Sequence, residues 1–359
     1  MALTTSSAGA APSATVTTVV SGLDNPRDLA FGPNGNLYVA EAGHGGKAAC
    51  FSDPEIGSAC VGFTSKISRV DVAHHSVDRI ARGFVSIADP HGFAATGVDG
   101  ISTLGAGRIF GIITGSALSI PPGLIPADVA KKAKRQLGRL VAVSGSSRQF
   151  VADVGDRDFI WSSHHKNLVP GQFPDANPYG VLAGGRYRWV VDAASNTLDR
   201  VGPDGHVKVV RFIPNPPVSD AVPTCLDRGS DGALYIGELT GGGNAPGASV
   251  VWRFDPSTGH LTEWATGLTA VTGCGFGKDG RFYAVEFSTL GLENAAPGTG
   301  AVVVAAPHST SPTTVVDGLD FPGGFAAGPH ALYVSDWSIA PASSGGGPTG
   351  SVIRIALHS

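Results

Sequence analysis

The chain has 359 residues, a formal net charge of −4, 15% charged residues, 51 glycines and 25 prolines. That density of turn formers excludes a helical bundle or coiled coil, and 42% apolar residues supply too large a core for a disordered chain. No apolar run reaches the ~18–20 residues of a membrane span, and the sequence shows no basic stripe, which argues against nucleic acid as a partner.

Residues 1–13 are small, polar and alanine-rich, with no basic start and no apolar run. They read as the disordered beginning of a mature secreted protein that lacks its signal peptide, the alternative being a disordered cytosolic tail. Residues 14–359 are expected to form one domain. From residue 25 the chain repeats a plan of strand, tight glycine turn and second strand ending in a carboxylate. NPRDLAFGPNGNLYVAEAG (25–43) is the first unit, and GVDGISTLGAGRIFGIITG (97–115) follows it more loosely. NPYGVLAGGRYRWVVDAASN (177–196), VPTCLDRGSDGALYIGELTG (222–241), VTGCGFGKDGRFYAVEFS (271–288) and FPGGFAAGPHALYVSDWS (321–338) complete six.

The aromatic in the second strand falls at Tyr38, Phe110, Trp189, Tyr235, Tyr283 and Tyr333, and the last three steps are 46, 48 and 50 residues. That is the length of a four-stranded propeller blade, which a β-sandwich does not explain. Segments such as SKISRVDV and VDRIARGF supply third and fourth strands. TTVVSGLDNP (17–26) matches TTVVDGLDFP (313–322) at eight of ten positions. The sequence therefore predicts an all-β, six-bladed β-propeller in which the N-terminal strand joins the last blade beside GSVIRIAL (350–357), leaving no exposed sheet edge.

In such a ring the short turns share one face and the long connections (43–64, 115–136, 154–176, 239–248, 288–298 and 338–349) share the other. Long retained loops are commonly functional. Alignment places Glu41, Asp192, Glu238, Glu286 and Asp336 at equivalent strand ends on that face, with Ile113 in the second unit. Five carboxylates there either bind a hard divalent ion, calcium above all, or accept hydrogen bonds from backbone N–H groups. Asp192, Asn196, Glu238 and Glu286 are the candidate metal ligands. An inner ring starts from Arg27, beside Asp28, and continues through Asp99, Tyr179, Thr224, Thr272 and Gly323, a polar lining for a small ligand or for water. His44, His91, His164 and His165 map to the loop-rich face.

Cys50 and Cys60 are close enough in one loop to pair in an oxidising compartment. Cys225 and Cys274 fall one step apart in the repeat, so their side chains leave opposite sheet faces and meet between blades as a disulfide or as two buried thiols. There is no GxSxG elbow, HExxH motif or phosphate-binding loop. PADVAKKAKRQLGRL (126–140) is the one clear helix candidate, its Lys131, Lys132, Lys134 and Arg135 forming a lid over the acidic rim or a solvated face.

In NPRDLAFGPNGNLYVAEAG, VADVGDRDFIW with NPYG, VVDAASNTLDRV, VPTCLDRGSDGALYIGELTG and AVTGCGFGKDGRFYAVEF, the chain resembles the secreted ScyD/ScyE-like propeller proteins. Single blade motifs are shared with NHL and gluconolactonase-like propellers. The resemblance implies a secreted six-bladed propeller and brings no catalytic residue set. Cys225 and Cys274 depart from its usual pattern. The expected function is the binding of a small molecule or extracellular protein at the loop-rich acidic face, through Arg27, Asp28, Glu41, His44, His91, Tyr179, Asp192, Asn196, Thr224, Glu238, Thr272, Glu286 and Asp336. The protein is expected to be a monomer. The alternatives are a divalent-metal-dependent hydrolase or lactonase of the gluconolactonase or strictosidine-synthase-like type, and a structural or protein-interaction propeller.

Overall fold

The computed structural model describes residues 14–33, 35–53, 57–105, 107–145, 147–215 and 218–357; the expected disordered segment 1–13 lies outside them. Each repeated unit forms the inner hairpin of an antiparallel sheet. After β1 (Thr15–Leu23) come β2 (Pro26–Phe31), β3 (Leu37–Glu41), β4 (Ala49–Asp53), β5 (Gly57–Asp71) and β6 (Ser76–Ala88), paired in the order β2-β3-β5-β6. The second sheet runs β7 (Val98–Leu104), β8 (Arg108–Ile113), β9 (Arg139–Ser144), β10 (Ser147–Asp153). The third is β11 (Pro178–Gly184), β12 (Tyr187–Asp192), β13 (Thr197–Val201), β14 (Val207–Phe212). The fourth is β15 (Pro223–Arg228), β16 (Leu234–Glu238), β17 (Ser249–Phe254), β18 (Leu261–Leu268). The fifth is β19 (Val271–Phe276), β20 (Phe282–Glu286), β21 (Gly300–Ala305), β22 (Thr313–Leu319). The sixth takes β23 (Phe325–Ala327), β24 (Ala331–Asp336) and β25 (Gly350–Ala356) from the end of the chain, and its outer strand is β1, antiparallel to β25.

The inner hairpins share a turn chemistry. Gly35, Gly232 and Gly280 have φ of 78°, 83° and 78°, the left-handed region that glycine enters without steric cost. Each donates to the carbonyl three residues back, on Gly32, Gly229 and Gly277 respectively. This is a short hairpin loop with a bulge, whose twist matches the strands it joins.

The core lies between the faces of consecutive sheets. Tyr38 and Ile67 pack with Ile101 and Val141, and Phe110 with Val181 and Val190. Trp189 packs with Ile236 and Trp252, Tyr235 with Phe282 and Val303, and Tyr283 with Val334 and Ile353. Tyr333 and Val352 pack with Leu29 and Val39, so the sixth sheet packs on the first. All six repeat-marking aromatics are buried here, each contributing roughly 1.5–3 kcal/mol of apolar burial. The chain is all-β and propeller-like.

Two features differ from expectation. The 43–64 segment is not all loop: β4 pairs with the first half of β5 as a hairpin, on the edge that β3 leaves free. The 154–176 connection contains a helix, α2 (Gly155–Ser163), hidden in the sequence because its apolar residues are few and no side chain caps its start. The expected helix is α1 (Ala127–Lys134), shorter than its segment because Arg135 ends it and β9 begins at Arg139. Both disulfides are formed. Cys50–Cys60 crosses the β4–β5 hairpin, and Cys225–Cys274 links the innermost strands of the fourth and fifth sheets with Cα atoms 5.6 Å apart.

Candidate functional site

The strand-end carboxylates are buried and engaged with backbone. Glu41 accepts from the Asp24 N–H (2.7 Å), Asp192 from Asn177 (2.8 Å), Glu286 from Thr269 (2.8 Å) and Asp336 from Asp320 (3.0 Å). In each case the donor lies in the chain leading into the innermost strand of the same sheet, so the repeated acid locks that entry. Glu238 turns the other way and accepts from the Val250 N–H (3.2 Å) and the Trp252 indole. Burial raises Glu238 to about 8, Glu286 to about 7 and Asp336 to about 6; it raises Glu41 too, against the nearby Lys66 charge.

The four candidate metal ligands do not fit a divalent ion. Asn196 is fully buried, donates to Asn215 (2.8 Å) and Asp220 (2.6 Å), and accepts from the Val222 N–H (3.0 Å). Among the described residues, no group of three or more His, Cys, Asp or Glu side chains is arranged to hold a metal ion. Asp192 instead faces Asp158 of α2 and Asp199 of β13, all three fully buried. Both Asp158 oxygens, one of Asp192 and one of Asp199 have no hydrogen-bond donor. Burial and mutual repulsion raise Asp158 well above the usual carboxylate range and Asp199 to about 7, so this triad carries protons near neutrality.

Five residues of the inner ring share one small cavity, and Asp99 and Gly323 are not in its lining. Arg27, Asp28, Tyr179, Thr224 and Thr272 line this cavity of about 30 Å3, with Gly324 there in place of Gly323. Arg27 donates to the Ala95 carbonyl (2.6 Å), and its Nε lies 3.9 Å from Asp99. Asp28 accepts from Leu29 (2.8 Å) and from Ile101 on the next sheet (3.1 Å). Thr224 and Thr272 donate to carbonyls of Val271 and Pro322. Burial raises Asp28 to about 7, Asp99 to about 6 and Tyr179 to about 12. The volume suits a water or two and is far below the roughly 300 Å3 of a small-molecule site.

A cavity of about 360 Å3 opens between the 44–47, 89–92 and 341–343 loops. The 44–47 and 341–343 loops belong to the long connections and 89–92 to the link from β6 to β7, and the dipeptide Asp24–Asn25 ties the three together. Asn25 is fully buried at φ 47°, a left-handed conformation that Asn tolerates better than most residues. Its amide donates to the Gly43 and Gly92 carbonyls (2.7 and 2.8 Å), and its oxygen accepts from the Ala95 N–H (3.1 Å). Its own N–H donates to the Ala340 carbonyl (2.7 Å). Asp24 accepts from the Ala342 N–H (2.7 Å), pairs with Lys66, and stands 3.1 Å from His44 Nδ1. Burial works to raise Asp24, but the hydrogen bonds from His44 and Lys66 and the Lys66 charge outweigh it, holding the carboxyl well below its usual range. Lys47, Asp89 and His91 complete the polar lining.

Of the residues singled out in the sequence, His44 and His91 meet in this cleft, while Arg27, Asp28, Tyr179, Thr224 and Thr272 meet in the small cavity between the innermost strands. Asp192, Asn196, Glu238, Glu286 and Asp336 line neither, and Glu41 lies beneath the cleft, 3.7 Å from Lys66. Sequence reasoning missed Asp24, Lys47 and Lys66. The repeat of LDNP in LDFP marks Asp24, since Asp320 holds the matching place.

No family model matches the sequence, and no curated protein is similar to it. Solved structures are similar in fold. The putative oxidoreductase (glucose dehydrogenase) of Thermus thermophilus is 14% identical, with 95% of this chain and 99% of that one covered, at a TM-score of 0.56. The PQQ-bound aldose sugar dehydrogenase of Streptomyces coelicolor is 13% identical, covering 96% and 100%, at 0.53. A putative gluconolactonase is 13% identical, covering 98% and 95%, at 0.53. At these identities the likeness is one of fold, and it places the chain among propeller-like proteins without marking it as ScyD/ScyE-like.

Proposed function

We propose that residues 14–359 form a single closed six-bladed propeller that binds a small polar molecule in the cleft between the 44–47, 89–92 and 341–343 loops. The pairing of His44 with Asp24 in that cleft carries the reading. Asp24 accepts from Nδ1 and leaves Nε2, which has no partner among the described residues, for a ligand. With Asp24 and Lys66 neutralising each other, His44, His91 and Lys47 offer donors suited to a carboxylate or carbonyl oxygen. The two disulfides, and the lack among the described residues of any helix long and apolar enough to cross a membrane, suit a secreted protein.

The same pairing favours one second reading, a lactone or ester hydrolase in which His44, oriented by Asp24, takes a proton from water. The gluconolactonase among the structural neighbours is compatible with this at the level of fold. No metal enters either reading. The test is titration with a panel of sugar acids, hydroxy acids and their lactones, following the imidazole NMR signals of His44 and His91. Saturable shifts that disappear in His44→Ala are expected, and turnover lost in the same variant selects the hydrolase. A panel that leaves both imidazoles unmoved and undergoes no turnover removes the cleft from consideration.

A further inference from the structure

The folded chain gathers cations that its sequence scatters. One open groove of about 480 Å3 is lined by His44, Lys66, Arg79 and Arg82 beside Phe63, and a second of about 460 Å3 by Lys132, Arg135, Arg139 and Arg148 beside Phe150. Two contacts join them. Lys132 Nζ sits 3.5 Å over the Phe63 ring, and Arg148 donates to the Arg82 carbonyl (2.6 Å). The helix α1 is fixed there because Ala133, Val129 and Ala130 pack on the core between the first two sheets. It therefore is not a free lid, and it presents Lys132 and Arg135 where the two grooves adjoin to form one basic trough. Among the described residues, no acidic one lines either half. Lys66 and Arg139 are neutralised by Asp24 and Asp153. Arg79, Arg82, Lys132, Arg135 and Arg148 make no ion pair among the described residues. Five uncompensated cations in one trough, on a chain of net charge −4, are a local field of the opposite sign to the whole molecule.

We propose that this trough binds a linear acidic polysaccharide, its carboxylates paired with the arginine forks and a sugar ring against the exposed Phe150. The two grooves adjoin through the Lys132–Phe63 and Arg148–Arg82 contacts, so their cations follow one another across the surface as the charges of a chain polymer do. Planar guanidinium groups match carboxylates two bonds at a time. Two disulfides belong to an oxidising compartment, where acidic glycans rather than nucleic acids are the prevalent polyanions.

Polygalacturonate oligomers of defined length, titrated calorimetrically into the full chain at low and high salt, provide the test. Binding is expected at low salt and lost at high salt, as for any polyanion held by counterion release. Arg82 and Arg135 are exposed and have no ion-pair partner, so Arg82→Glu with Arg135→Glu leaves the melting temperature unchanged and weakens binding at least about tenfold. Arg82→Gln with Arg135→Gln gives a smaller loss in the same direction. Neither Arg82 nor Arg135 lines the cleft between the 44–47, 89–92 and 341–343 loops, and His91 lies outside both grooves, so the ligand shifts of His91 persist in both variants. The proposal is overturned by a wild-type chain that ignores polygalacturonate at low salt, by charge-reversed protein that binds it equally, or by a short DNA duplex that displaces it preferentially.

Discussion

At the scale of single residues, this protein uses buried carboxylates as backbone staples. An acid at a strand end offers several lone pairs to N–H groups that the sheet leaves unpaired, and burial then favours the protonated form. Glu238 is raised to about 8, Glu286, Asp28 and Asp199 to about 7, and Asp99 and Asp336 to about 6. These folded values all lie above the unfolded ones, so the native state holds protons that the unfolded chain has released. Stability is fully present below about pH 4 as far as these groups are concerned and falls as pH rises through about 6 to 8. Asp24, held low, works in the opposite sense, but its contribution is lost only on acidification below about pH 4. Calorimetry is therefore expected to give a melting temperature several degrees lower at about pH 8 than at about pH 5. A rising or flat profile across that window contradicts the protonated burial of these acids.

At the scale of elements, the two disulfides make different claims. Cys225–Cys274 closes a separation of 49 residues between two sheets, and Cys50–Cys60 one of 10 within a hairpin. By loop-closure entropy, replacing both members by Ser costs about 4 kcal/mol for the first and about 3 kcal/mol for the second. Urea midpoints of the two double variants are expected to fall in that order. If the hairpin pair costs more, the link between sheets is not what constrains the unfolded chain. α2 acts at this scale as well. It carries Asp158 against Asp192 and Asp199, and the sequence hid both the helix and the triad because a nine-residue segment with two early acids has little apolar periodicity to detect.

At the scale of the whole molecule, the pairing of β1 with β25 joins the start of the chain to its end. Removing residues 1–22 would uncover the outer edge of β25, a ready template for intermolecular pairing, and the core that Val19 and Val20 form with Val352 and Tyr333. Sedimentation of that truncation is expected to show association, with a lowered melting temperature. A monomer as stable as the parent chain would mean that β1 is dispensable and that its pairing with β25 is not a source of stability.

The sequence by itself determined the repeated hairpins, their glycine turns and the buried aromatic in each, because a fixed local pattern needs only a fixed local geometry. It also determined the pairing of its two ends, written into TTVVSGLDNP and TTVVDGLDFP, and through strand alternation it allowed Cys225 to face Cys274, leaving the choice between disulfide and thiols to the structure. What the strand-end acids do was decided only by tertiary structure, since whether Glu286 meets a cation or the Thr269 N–H depends on how closely the chain returns to its own sheet. The cleft around His44 and the basic trough belong to the same class. Their parts come from segments as distant as Asp24 and Ala342, or Arg82 and Arg148, and only packing brings such groups within reach of one ligand.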